Sequence, residues 1–173
     1  MKTKILPIVR ILTGLLLVDI AFKKWIDPNF FQAEGFMAEL VRHGKAYPFY
    51  QSLLDSYVFP HARIFAILAA LGESVVGLSL LFGVFTNPIS IIGVFMILNF
   101  CLATCYGRPG SLIGHIVFIG LVGLFGASSA GTTWGADSFL ARVMSPRLVF
   151  FPYYKGDAEA VRKDVAPAPR TAA

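Results

Sequence analysis

The 173-residue chain is 56% hydrophobic and only 14% charged, where soluble domains carry about 25% charged residues, and its mean hydropathy is +0.69. These values exclude an ordinary soluble domain and place most of the chain in lipid. The net charge of +5 is spread along the chain rather than gathered into one patch, which fits a membrane surface and argues against a nucleic-acid partner.

The first apolar run covers residues 5–24. Lys2, Lys4 and Arg10 give it the start of a signal peptide, but Asp19 interrupts the run and Phe22-Lys23-Lys24 stands where small residues would mark a cleavage site. A retained span is therefore expected. At about 100° per residue, Arg10, Gly14, Leu17, Ala21 and Lys24 share one stripe. That stripe must face protein, because Gly14 and Ala21 admit a close neighbour and cations are costly in lipid. Asp19 lies off it, and its simplest partner is Lys23 one turn later.

Residues 25–61 are too many for a plain connector. Asp27-Pro28 reads as a helix start, a capping acid followed by proline at the first helical position. Phe30, Ala33, Met37, Leu40 and Val41 then recur at helical spacing, opposite Glu34, Glu39 and Arg42. After Pro48, Phe49, Leu53, Leu54 and Tyr57 repeat the pattern. Two interfacial helices, over 28–43 and 48–58, are expected to lie on the outer membrane surface and roof the bundle.

The second span, 62–85, holds Glu73 inside LAALGESVVGLSLLFG. An ionised acid at the centre of a membrane helix costs roughly 2.5 kcal/mol or more, so such residues face a bundle interior, a partner or a wet cavity. A short uncharged link through Gly83 and Pro88 makes a hairpin with the third span, 88–106, which carries Asn99, Cys101 and Cys105. The cysteines share a helix face, but bridging within one turn strains a disulfide. Their plainest role is as small buried hydrophobes. Gly107, Pro109 and Gly110 turn the chain, with Arg108 at the tip, into the fourth span, 111–130. His115 lies near the outer end of that span. Asp137 and Ser138 can cap a short helix over 139–144, and the aromatic RLVFFPYY suits the headgroup region. Residues 146–173 read as an amphipathic to disordered cytoplasmic tail.

The fold expected is all-α, an integral membrane four-helix bundle with up-down topology. Lys and Arg flanking the spans favour both termini in the cytoplasm. With one histidine in the spans and no HxxH or CxxC spacing, no metal is expected. His115 is a candidate proton relay. Helix-length bookkeeping puts Glu73 and Asn99 near mid-membrane, Arg10 toward the inner end, and Asp19, His115 and Cys101 toward the outer. Two assignments stay open: Glu73 pairs with Arg10, or it joins Asp19, Asn99 and His115 in an outward-opening pocket.

Four patterns occur in order: Arg10, Gly14, Ala21 and Lys24 on the first span; ESVVGLSLLFGVFT from Glu73; MILNFCLA on the third; and GTTWGADSFL from Gly131. Together they resemble the DoxX family, including the DoxD subunits linked to thiosulfate:quinone oxidoreductase, over roughly residues 10–140. Asn87 stands where relatives often carry a basic residue, and the cysteines are not part of the pattern. The resemblance implies a bacterial inner-membrane protein in a thiol-, sulfur- or quinone-linked redox assembly, with Arg10, Lys24, Glu73, Trp134 and Asp137 as family positions. A lipid-phase quinone would then be the electron acceptor, with Glu73 the leading acid/base group and His115 and Asp19 the other catalytic candidates. Lys24, Arg63 and Arg108 would draw a small sulfur anion such as thiosulfate. Arg10, Asn99, Trp134 and Asp137 complete the binding candidates, and Cys101 and Cys105 are the redox candidates. A membrane or periplasmic partner subunit is implied. The rival reading is a non-catalytic membrane scaffold or chaperone. With both termini inside, the WGAD turn emerges near Arg10, which makes Asp137 a candidate partner for Arg10 and turns Glu73 toward Lys24 or a ligand.

Overall fold

The computed structural model describes residues 5–128 and 130–152. The chain runs through α1 (Ile5–Ile26), α2 (Ala33–His43), α3 (Pro48–Leu53), α4 (Ala62–Phe82), α5 (Thr86–Thr104), α6 (Pro109–Ala127), α7 (Asp137–Val143) and α8 (Pro146–Val149). The helical runs ending in α1, α4, α5 and α6 are each long and apolar enough to cross a membrane. No strand occurs among the described residues, and the fold is the all-α membrane bundle that the apolar runs require.

Two differences from the sequence reading lie between α1 and α4. Asp27 does not start a helix. Its side chain accepts a hydrogen bond from the Asn29 N–H at 2.9 Å and its carbonyl accepts one from Phe30 at 3.2 Å. The aspartate thus closes a local turn, a use of Asp that competes with helix capping, and α2 begins only at Ala33. The turn sends Phe30 inward, edge-on to Phe36 at 5.9 Å. The second segment is no separate helix either. From α3 the chain passes through a π-helical turn (Leu54–Val58) and a 3-10 turn (Phe59–His61) straight into α4. Pro60 has no N–H to give and its ring blocks a regular turn, which forces the irregular stretch.

The stripe on α1 packs along α4, and a Cβ placed on Gly14 would stand 2.5 Å from the Leu81 nitrogen and 2.9 Å from the Gly77 carbonyl oxygen. Gly14→Ala is therefore expected to prise the two helices apart and lose about 1–3 kcal/mol, read as a lowered unfolding midpoint in mixed micelles. Gly120→Ala, where an added Cβ meets nothing within 4 Å, should leave the midpoint unchanged.

α1 lies against α4, α4 against α5 and α5 against α6, whereas α6 and α1 scarcely touch. The ring of helices is open on that side. Leu17, Val76, Leu80, Ile97, Val122 and Phe125 form the middle of the core. A second cluster lies at the end covered by α2 and α3, where Phe30, Phe36, Leu54 and Val58 pack with Ala62, Ala66 and Ala70. Alanine at every fourth position of α4 lets these outer elements approach closely. The beginning of the expected tail is ordered packing instead: Val149 and Phe150 are buried with Ala141 against Phe85 and Leu140. The rest of that tail, from 153 onward, lies outside the described residues.

Candidate functional site

The polar residues divide between the two ends of the bundle. α1 and α4 are antiparallel, so the C-terminal part of the α1 stripe meets the first half of α4. Lys24 Nζ donates to Glu73 Oε1 at 2.5 Å, with the side chains only 17% and 5% exposed. Mutual neutralisation lowers the penalty of holding both charges out of water. The ammonium also lies 5.3 Å from the ring centres of both Phe30 and Phe100, close enough for cation–π attraction.

Beside this pair is a cavity of about 550 Å³, within the roughly 300–1,000 Å³ typical of small-molecule sites. Its walls are mostly apolar: Leu17 and Ile20 from α1, Val76 from α4, Ile97 and Phe100 from α5, and Phe118 from α6. Because α1 and α6 both line it, the cavity sits at the open side of the helix ring. Its polar lining includes Lys24, Glu73, His115 and, from α2, Glu39 and His43. Glu39 was visible in the sequence only as part of the polar face of an amphipathic helix, and His43 was not singled out at all.

His115 Nδ1 lies 2.8 Å from the Ser111 carbonyl and 3.4 Å from Cys105 Sγ. The carbonyl can only accept, which assigns the proton to Nδ1 and leaves Nε2 as the acceptor. Cys101 and Cys105 are buried free thiols. No group of three His, Cys, Asp or Glu residues suited to a metal occurs among the described residues.

Of the outward-opening pocket envisaged for Glu73, Asp19, Asn99 and His115, the structure gathers Glu73 and His115 on one cavity. Asp19 pairs with Lys23 at 2.5 Å, with both side chains more than half exposed. Asn99 accepts from the Tyr50 hydroxyl and donates to the Phe95 carbonyl, both at 2.7 Å. Arg63 is exposed. Arg108 is also exposed and donates to the His43 carbonyl at 2.5 Å, tying the α5–α6 turn to α2.

The other end holds a separate cluster. Arg10 is fully buried, and its Nη2 donates to the Trp134 carbonyl at 3.0 Å. Asp137, also fully buried, accepts from the N–H groups of Phe85 at 2.6 Å and Thr86 at 3.0 Å. It therefore caps α5 from across the chain rather than its own helix. In return, the N–H groups of Ala136 and Asp137 donate to the carbonyls of Phe82 and Gly83 at 3.0 and 2.8 Å. Gly83, at φ +65°, lets the turn close, and a side chain there would strike the Arg10 guanidinium. Burial pushes the Asp137 carboxyl up from its ordinary value, while hydrogen bonds from Thr86 and Phe85 and the Arg10 charge draw it back down. The arrangement is a clasp joining α7 to the α4–α5 hairpin. Arg10 is accordingly not the partner of Glu73, and Leu17, Val76 and Leu80 lie between them along α1 and α4.

These features define a multi-pass α-helical membrane protein with a buried Lys–Glu pair on an apolar cavity and, at the opposite end, a clasp in which buried Arg10 bonds the Trp134 carbonyl and Asp137 caps α5. The chain belongs to the DoxX family: the family model described as DoxX matches residues 5–104, more than half of the sequence. The match spans α1 to α5 and includes Arg10, Lys24 and Glu73, whereas Trp134 and Asp137 lie beyond it. No curated protein and no solved structure matches the chain.

Proposed function

We propose that the protein is a component of a quinone-linked sulfur or thiol redox system in the bacterial plasma membrane, with both termini cytoplasmic. The reading rests on one observation, the Lys24–Glu73 pair set into the wall of an apolar cavity at the open side of the bundle. A quinone ring fits such walls and can be reached laterally from lipid; when bound, it would supply a two-electron, two-proton acceptor. The Lys24 ammonium would then hydrogen-bond a carbonyl oxygen that gains negative charge on reduction, and Glu73 would carry the proton. The exposed Arg63 and Arg108 would draw a small sulfur oxyanion such as thiosulfate by charge complementarity. Electrons would pass from that donor, or from a thiol on a membrane or periplasmic partner subunit.

The test is reduction of a ubiquinone analogue by thiosulfate or a thiol, using protein in nanodiscs and native membranes that retain any partner. Glu73→Gln is expected to remain folded and to lose turnover by about 10²-fold or more, the usual range for a positioned acid/base group. Absence of turnover in both wild-type preparations would overturn the reading.

A second reading, a non-catalytic membrane scaffold or chaperone, is favoured by α6. Only 17% of its apolar window is buried, and Gly110, Gly114 and Gly120 have open space beside them that would admit a partner helix. On that reading Arg10, Glu73 and Asp137 only hold the bundle together.

A further inference from the structure

The Lys24–Glu73 pair shares its cavity with residues of α2, at the end of the bundle that α2 and α3 cover. Toward α7, the core is closed by Val76, Leu80, Val122 and Phe125, all 0–1% exposed, together with Leu17. These side chains offer no polar atom to carry a chain of water. The buried polar side chains in that direction, Ser79, Thr13, Ser90, Asn87 and Arg10, are themselves only 0–6% exposed. Toward α2 the situation reverses. Glu39 and His43 line the same cavity as Glu73 and also reach the surface, their side chains being 27% and 58% exposed. His43 Nδ1 lies 3.4 Å from Glu39 Oε1, and the Arg108 bond to the His43 carbonyl anchors this end of α2.

We propose that Glu39 and His43 form a proton port, exchanging protons between Glu73 and the aqueous phase on the α2 side alone. Any proton given to or taken from a ligand in the cavity then enters or leaves on that side. The step moves only a proton, from the Glu73 carboxyl to the Glu39 carboxylate or His43 imidazole and on to water, and in reverse on uptake. Among the described residues lining the cavity, the ionisable groups around Glu73 are Lys24 from α1, Glu39 and His43 from α2, and His115 from α6. Lys24 is the bonded counter-ion, and Arg42 pairs with Glu39 at the surface. The Nδ1 atoms of His115 and His43 are both held by backbone carbonyls, of Ser111 and Glu39 at 2.8 and 2.9 Å, so on each ring Nε2 is the atom that takes up a proton. Of the two rings His43 is the one beside a second carboxylate, with its side chain 58% exposed. Glu39 and His43 are the pair that spans cavity and surface. The port concerns the carboxyl itself and holds whether or not a quinone is the ligand.

The experiment follows the carboxylic C=O band of Glu73 by infrared spectroscopy after a pH jump, with the full chain in nanodiscs. The band is identified by its loss in Glu73→Gln. Combined Glu39→Gln and His43→Gln should slow its response by at least about tenfold, whereas Glu34→Gln, exposed on the same helix and outside the cavity lining, and His115→Gln should leave the rate unchanged. Glu39→Gln alone should slow it measurably, which keeps the test open if the combined variant misfolds. In oriented proteoliposomes the band should follow a jump on the α2 face and not one on the α7 face. An unchanged rate in the combined variant, equal response from both faces, or a band insensitive to pH would each overturn the port. Since no electron donor or acceptor is present, a working port without quinone turnover removes the redox reading alone, and turnover with unchanged band kinetics removes the port alone.

Discussion

Asp137→Ala is expected to destabilise the protein by roughly 3–5 kcal/mol, the order of loss when a buried charge is left without a countercharge nearby. Two injuries follow from the single change. Arg10, fully buried, loses the negative charge it faces. The Phe85 and Thr86 N–H groups at the start of α5 lose their acceptor, and losing a cap alone typically costs about 0.5–2 kcal/mol. The two figures overlap, since the same carboxylate does both jobs, so they are not summed. Asp137→Asn should lose less, because its amide oxygen can still accept from one N–H. Replacing Arg10 by Leu in the Asp137→Asn background should recover part of the loss by removing the stranded cation. Unfolding in mixed micelles checks the series, and a loss below about 1 kcal/mol for Asp137→Ala would show that the clasp does not hold α7 to the bundle.

How far each residue could be read in advance depended on whether its partner was local. The α1 stripe from Arg10 to Lys24 was legible because helical spacing and the cost of cations in lipid both point it at protein. Asp19 with Lys23 was legible for the same reason, both members lying on one helix turn. Glu73 was legible as a group that needs a partner, but not which partner. Spacing orients faces, yet the choice between Arg10 and Lys24 depended on the helix pairing of α1 with α4 and on a turn, 124 positions further along than Arg10, whose Trp134 carbonyl takes the inner cation. Asn99 looked like a site residue because a polar amide at membrane depth is conspicuous, and Tyr50 was not legible as its partner. The cavity left no trace of its own. It is a property of the open seam between α1 and α6, and only that geometry turns Glu39 from a polar helix face into cavity lining and brings His43 in beside it.

Lys24→Met should be more damaging than Glu73→Gln, and the difference decides what the pair is for. Removing the ammonium leaves a carboxylate 5% exposed on an apolar wall with its counter-ion gone, again a loss of roughly 3–5 kcal/mol if the acid stays ionised. Glu73→Gln instead leaves a neutral amide of nearly the same shape. The cation that remains is less enclosed, at 17% exposure, and still lies 5.3 Å from two aromatic rings, a contact worth about 0.5–2 kcal/mol. The combined variant should be more stable than Lys24→Met alone, giving a coupling of about 1–3 kcal/mol in a double-mutant cycle. If the pair were merely a strut, either single change would break it to a similar extent and turnover would follow stability. A near-neutral Glu73→Gln beside a damaging Lys24→Met would instead make Lys24 the group that renders a carboxylate tolerable in the cavity, leaving Glu73 free for proton chemistry. Equal losses in the two variants would move the balance to the scaffold reading, with the cavity a consequence of the open seam rather than its purpose.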